Sequence, residues 1–138
     1  MSSQTNQAYN DNYSTLKGLI TKSDLTSYQF SVVRFASTAG QVKLSGTQVI
    51  TNGFILMNDP KGTSTAGAAC EVAYSGIVKA IAGTSLITVG ASLRSNTTSQ
   101  LVPTATAGIM VVGRCLQAPT TKGDLIPVAL FQGGHLYS

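Results

Sequence analysis

Residues Leu86 to Leu130 read LITVGASLRSNTTSQLVPTATAGIMVVGRCLQAPTTKGDLIPVAL, a row of short apolar runs separated by Gly, Pro, Ser, Thr and Asn. Leu86 to Val89 leads into a turn at Gly90, and Gln100 to Val102 stops at Pro103. Ile109 to Leu116 follows Gly108, and Leu125 to Leu130 follows Gly123-Asp124. Apolar runs of about four to eight residues punctuated by turn residues predict sequential antiparallel strands. None has the length or the period of a helix. The stretch also holds no His, no paired acids and no phosphate-binding loop, so it reads as scaffold.

Upstream the same pattern continues. Tyr28 to Phe35 alternates, with Tyr28, Phe30 and Val32 on one face, which predicts a strand with one buried side. Gln41 to Leu44 reads as a short strand with Val42 and Leu44 inward, and Gln48 to Thr51 as another. Asn52-Gly53 is a hairpin signal, because both residues tolerate positive φ, and Phe54 to Met57 is buried on both faces if central. Asn58 to Gly62 is a turn cluster around Pro60, and Ala69 to Tyr74 and Gly76 to Ile81 follow as further runs. Thr-Ala-Gly recurs at 38–40, 65–67 and 106–108, each time placing Gly just before a strand, where a left-handed conformation costs least. The unequal spacing makes this repeated use of one turn, not a repeat protein.

The expected fold is all-β: a compact single-domain β-sandwich or barrel of short antiparallel strands over residues 25–131, with an extended polar N-terminal arm. Residues 1–24 are expected as a flexible arm and linker, Leu16 to Leu25 being either linker or edge strand because Gly18 weakens a helix. Residues 132–138, with Gly133-Gly134 ahead of His135, Leu136 and Tyr137, are expected as a loose tail. Met1 to Thr15 is too polar to bury itself, and Tyr9 and Tyr13 are its only large anchors.

The totals limit function. At 138 residues the chain makes one ordinary domain. Charged residues are 10% of it, against roughly 25% in a typical soluble domain, so its surface is largely Ser, Thr, Asn, Gln and Gly. Such a surface is either secreted and inert, or buried against other protein. The net charge of +4 comes from nine basic residues scattered along the sequence against five acids. Nucleic-acid binding needs clustered cations with aromatic platforms, so no nucleic-acid partner is expected. The N-terminus has neither the basic nor the apolar region of a signal peptide, and no run approaches about 18 apolar residues, so no membrane span is expected. Cys70 and Cys115, 45 positions apart, read as two buried thiols, with a bridge between them left open.

Catalysis needs converging polar groups, and the sequence supplies few. The single His, His135, follows two glycines near the end of the chain, a poor setting for a preorganised base. Asp11, Asp24, Asp59, Glu71 and Asp124 stand singly; Asp24, Asp59 and Asp124 fall where Asp commonly caps local backbone, and Glu71 faces solvent or pairs with a Lys. Gly62 to Gly67 lacks the Gly-Lys-Ser/Thr ending of a P-loop, and no His/Cys set has metal-ligand spacing. No enzymatic activity, cofactor or metal is expected.

One succession of phrases carries a resemblance. It runs Ala66-Gly67-Ala68-Ala69-Cys70-Glu71-Val72, Ser75-Gly76-Ile77-Val78-Lys79, and Ile87-Thr88-Val89-Gly90-Ala91-Ser92-Leu93. It continues through Gln100-Leu101-Val102-Pro103, Val111-Val112-Gly113-Arg114-Cys115-Leu116-Gln117-Ala118 and Lys122-Gly123-Asp124-Leu125-Ile126-Pro127-Val128-Ala129-Leu130. Over roughly residues 60 to 131 this order resembles the small β-rich capsid decoration (cement) proteins of tailed bacteriophages. The resemblance implies a non-enzymatic virion protein on the capsid exterior, commonly a homotrimer, that clamps neighbouring major capsid subunits. It transfers no site residue by residue. For the grip, the expected contacts are Tyr9, Tyr13 and Leu16 in the arm and His135, Leu136 and Tyr137 in the tail. The competing expectation is a receptor- or glycan-binding β-module of a fibre or adhesin, disfavoured by 7% aromatics and the lack of Trp.

Overall fold

The computed structural model describes residues 12–47, 53–60 and 67–136, the last five by backbone path alone. Among the described residues there are nine strands and no helix: β1 (Asn12–Thr21), β2 (Val32–Phe35), β3 (Gln41–Leu44), β4 (Phe54–Leu56), β5 (Ala69–Ile81), β6 (Ser92–Ser95), β7 (Leu101–Pro103), β8 (Met110–Cys115) and β9 (Leu125–Leu136). They form one sheet in the order β1-β3-β2-β4-β5-β9-β8-β6-β7, and β1 pairs with β5 as well. All pairings between named strands are antiparallel except β1–β3. The all-β expectation therefore holds.

The extra β1–β5 pairing closes β1, β3, β2, β4 and β5 into a ring. At the far end, Ala82 makes a parallel bridge to Leu101 and the Gly83 N–H donates to the Leu101 carbonyl (2.7 Å), so β7 returns to the end of β5. Two curled halves thus share β5. Each has its own core. Leu25, Val33, Val42, Phe54, Leu56, Cys70 and Val72 fill the first. The second is larger and includes Val32, Ile55, Ala73, Val78, Ile87, Leu93, Leu101, Val112, Ile126 and Val128. Val32 and Val33, Ile55 and Leu56, and Val72 and Ala73 are adjacent pairs that face opposite cores, so β2, β4 and β5 form the wall between them. This is why β4 is buried on both faces, as its apolar run predicts.

Strict alternation gives each core one parity of residues along a strand, and bulges change that parity part-way. On β1, Leu16 pairs with Val72 and Leu19 with Cys70: three steps against two, the extra residue falling at Lys17-Gly18, where Gly18 has φ +83°. Leu16 and Leu19, an odd spacing apart, consequently both pack on the first core. On β5, Cys70, Val72 and Tyr74 face the first core, whereas Val78 and Ala80 face the second. The parity changes across Ser75-Gly76-Ile77, next to the shift between Ser14↔Ser75 and Thr15↔Ala73. Gly76 sits at φ +100°, and a Cβ there would overlap the Asn12 carbonyl oxygen and lie 2.7 Å from Tyr13 Cα.

Several expected boundaries move. The predicted strand from Tyr28 begins only at Val32; Ser27 and Phe30 have φ of 74° and 71°, and the Phe30 N–H and carbonyl bridge Leu56 and Ile81 across the wall. Leu86 to Val89 is not a strand: Ile87 alone is buried, while Leu86 and Val89 are 81% and 67% exposed. Ala69 to Ile81 is one strand, not two, because Gly76 continues it instead of ending it. Residues 12–21, placed by the sequence in the arm and linker, form β1. Residues 132–136, placed in the tail, continue β9 with His135 opposite Val111 and Leu136 opposite Met110. Gln48–Thr51 and Asn52 lie outside the described residues, and β3 and β4 each pair with β2 rather than with each other. The Thr-Ala-Gly turns at 38–40 and 106–108 do precede β3 and β8, with Gly40 and Gly108 left-handed.

The turn into β9 is held by one carboxylate. Asp124 accepts from the backbone N–H of Thr120 (2.8 Å) and Thr121 (3.1 Å) and from both hydroxyls (2.9 Å each). The Thr120 N–H does most to hold its pKa well below the ordinary range, against an opposing effect of desolvation. The Asp124 carbonyl accepts from the Ala82 N–H (2.9 Å), and the Gly123 N–H donates to the Ala82 carbonyl (2.8 Å), so the same turn pins the end of β5.

Two outcomes are expected. Gly76→Ala combines a left-handed backbone with overlap of β1 and destabilises by more than the ~1 kcal/mol expected for Gly90→Ala, which is left-handed but opens onto free space. Equal melting shifts for the two variants refute the close-approach argument. Because the Asp124 pKa is depressed on folding, its contribution is complete above about pH 5 and is lost as pH falls through about 4 and below. Asp124→Asn therefore lowers the thermal midpoint at neutral pH, and its gap from wild type narrows in acid; a gap independent of pH contradicts this.

Candidate functional site

Among the described residues the acids are spent on structure. Asp24 Oδ1 accepts from the Thr26 N–H (3.0 Å) and hydroxyl (2.6 Å), and Asp59 Oδ1 accepts from the Ser27 N–H (2.7 Å). These two carboxylates fix the loop that carries Tyr28. Glu71 pairs with Lys17 at 3.7 Å, as its strand position predicts. Cys70 and Cys115 are free and buried, and burial pushes both thiols up, away from the nucleophilic thiolate. Among the described residues no group of His, Cys, Asp and Glu could hold a metal ion.

A cleft of about 310 Å³ lies where the two halves meet, lined by Tyr28, Leu44, Ser45, Gly46, Thr97, Thr98 and Ser99. Its walls come from the Tyr28 loop and the end of β3 on one side and the β6–β7 turn on the other. Ser99, at φ 63°, bolts them together: its carbonyl accepts the Val32 N–H (2.7 Å) and its hydroxyl the Gly46 N–H (2.8 Å). Asn96 Oδ1 shapes the turn by accepting from the N–H groups of Thr98 and Gln100. No charged side chain lines the cleft. It offers hydroxyls and one ring, a surface for a neutral polar contact and not for acid–base chemistry.

The expected grip residues that lie among the described residues do not gather in one place. Tyr13 packs on the second core and Leu16 on the first, so both are tied into their own chain. His135 and Leu136 lie at the end of β9, and Tyr9 and Tyr137 lie outside the described residues. What the sequence reading missed is the face of β1, β3 and β2 turned away from the first core. There Ile20 is 48% exposed, and Arg34 stands directly opposite Lys43. The signal was register: scattered in sequence, these residues become neighbours only when β1 and β2 flank β3.

No protein-family profile and no curated protein matches the chain. Solved structures do, among them the head fiber gp8.5 N base of bacteriophage phi29, with a TM-score of 0.59 and 16% identity over 90% of this chain and 98% of that one. At that identity the likeness is one of fold, and it extends over nearly the whole of both chains: this protein has the fold of a phage head-fibre base.

Proposed function

We propose that the chain is a structural decoration (cement) protein of a tailed-phage head, binding the outer surface of the shell through the major capsid protein. The observation that carries the reading is the fold it shares, almost end to end, with the base of a head fibre. The low charge, the carboxylates committed to turns and the unreactive thiols support a holding role over a converting one.

The mechanism is linkage. A subunit that binds the expanded shell and not its precursor or its dissociated parts stabilises that shell by mass action. Weak contacts repeated over a symmetric lattice, by a trimer whose ends reach different capsid subunits, add through effective concentration. In this reading Tyr9 and the segment His135, Leu136 and Tyr137 supply part of the grip, whereas Tyr13 and Leu16 anchor the arm to its own domain.

A second reading, a glycan-binding module of a fibre, draws on one observation: Tyr28, 40% exposed, beside the hydroxyls of the cleft. Co-sedimentation with purified phage heads and a glycan array separate the two. Retention on expanded heads, a raised head-disruption temperature and no glycan signal are expected; glycan binding abolished by Tyr28→Ala, with no head binding, replaces the first reading by the second. Deleting residues 1–11, which leaves β1 whole, weakens head binding without lowering the thermal midpoint of the free protein; undiminished occupancy removes the arm from the grip.

A further inference from the structure

The strand register assembles a cationic row that the sequence disperses. β1 and β3 run parallel with Ile20 opposite Gln41 and Thr21 opposite Val42, and the Lys22 N–H extends the ladder to the Val42 carbonyl (2.7 Å). β2 lies on the other side of β3, with Arg34 opposite Lys43. Thr21, Val42 and Val33 are buried, so the alternation of a strand turns Ile20, Lys22, Lys43 and Arg34 away from the first core; on β2 that face meets the second core at Val32, and two residues further along Arg34 is half-buried. Lys43 and Arg34 stand on adjacent strands and Lys22 just past the end of β1, the row spanning about 10 Å at the usual strand spacing.

This arrangement is unfavourable in the isolated chain. Like charges directly opposite one another destabilise a sheet. None of the three makes an ion pair among the described residues, and Arg34 Nε is shielded from solvent with no acceptor. A shielded donor without a partner costs stability. The half-exposed Ile20 on the same face adds an apolar contact beside the charges.

We infer that the face of β1, β3 and β2 turned away from the first core is a docking surface for a carboxylate-bearing protein surface, with Lys43 at its centre and Arg34 beside it. Resting on the reading above, the occupant is the acidic part of a capsid subunit. Charge complementarity selects the partner: carboxylates offset the Arg34–Lys43 repulsion and give the guanidinium acceptors, and an aliphatic neighbour covers Ile20. Three cations with no aromatic platform on the face make a poor nucleic-acid footprint.

The test compares wild type, the neutralised variant K22Q/R34Q/K43Q and the control K122E on purified heads, poly-glutamate and duplex DNA across a salt series. Wild type and K122E are expected to bind heads alike and to weaken as salt rises from about 50 to 500 mM. The neutralised variant binds roughly tenfold or more weakly at low salt and loses the salt dependence. Its thermal midpoint is unchanged or higher, because a repulsion has been removed; a lowered midpoint with unchanged head binding assigns these residues a structural role and overturns the inference. Tighter binding of wild type to DNA than to heads or poly-glutamate also overturns it. If wild type binds no heads at any salt, the proposed function fails, and poly-glutamate alone decides the surface: retention of wild type and K122E but not the neutralised variant sustains it, and equal behaviour of all three removes it.

Discussion

The structure depends on one strand serving two cores. β5 carries Cys70 and Val72 into the first core and Val78 and Ala80 into the second, and a regular strand cannot change the face of its even-numbered residues part-way along. The change is made where Gly76 adopts a conformation that side-chain-bearing residues resist and where the backbone of β1 presses too close for any Cβ. Everything else is arranged around that switch. β4 and β2 complete the wall on one flank, β9 leaves on the second half, and β1 and β7 come back to the two ends of β5.

The sequence announced the class of fold and hid its wiring. Short β-branched runs between turn residues are enough for an all-β prediction, and Gly40 and Gly108 behave as the repeated Thr-Ala-Gly motif implies. Pairing partners are another matter, because they are set by contacts distant in sequence: nothing local says that β3 pairs in parallel with β1, or that Gly76 prolongs a strand. Polar composition misjudged Asn12 to Thr21 for the same reason. It pairs along most of its length with β5, distant in sequence, and two leucines brought in by a bulge suffice to dock it. Leu86 to Val89 failed in the opposite sense, an apolar run that buries only Ile87.

The site was the least legible part. Asp24, Asp59 and Asp124 bind local backbone, as their loop positions in the sequence predict, and both thiols are buried, as their apolar runs predict. The cleft is made by a loop and a turn from opposite halves, and the basic row by three strands of which two are consecutive only through a hairpin. Surfaces of this kind are properties of register. Composition supplied the one hint, a chain with more cations than it has acids to neutralise them.

Returning both outermost strands to β5 has a consequence for a molecule displayed in many copies. An open sheet presents unpaired N–H and C=O groups along its margins, and crowding such margins on a shell invites strand-to-strand polymerisation. Here β1 is paired to β5 along most of its length and to β3 at Ile20 and Thr21, and β7 is short, ends in Pro103 and is bridged to Ala82. Backbone pairing with neighbours is restricted at those points, and association falls more to side chains, which can be matched to one partner.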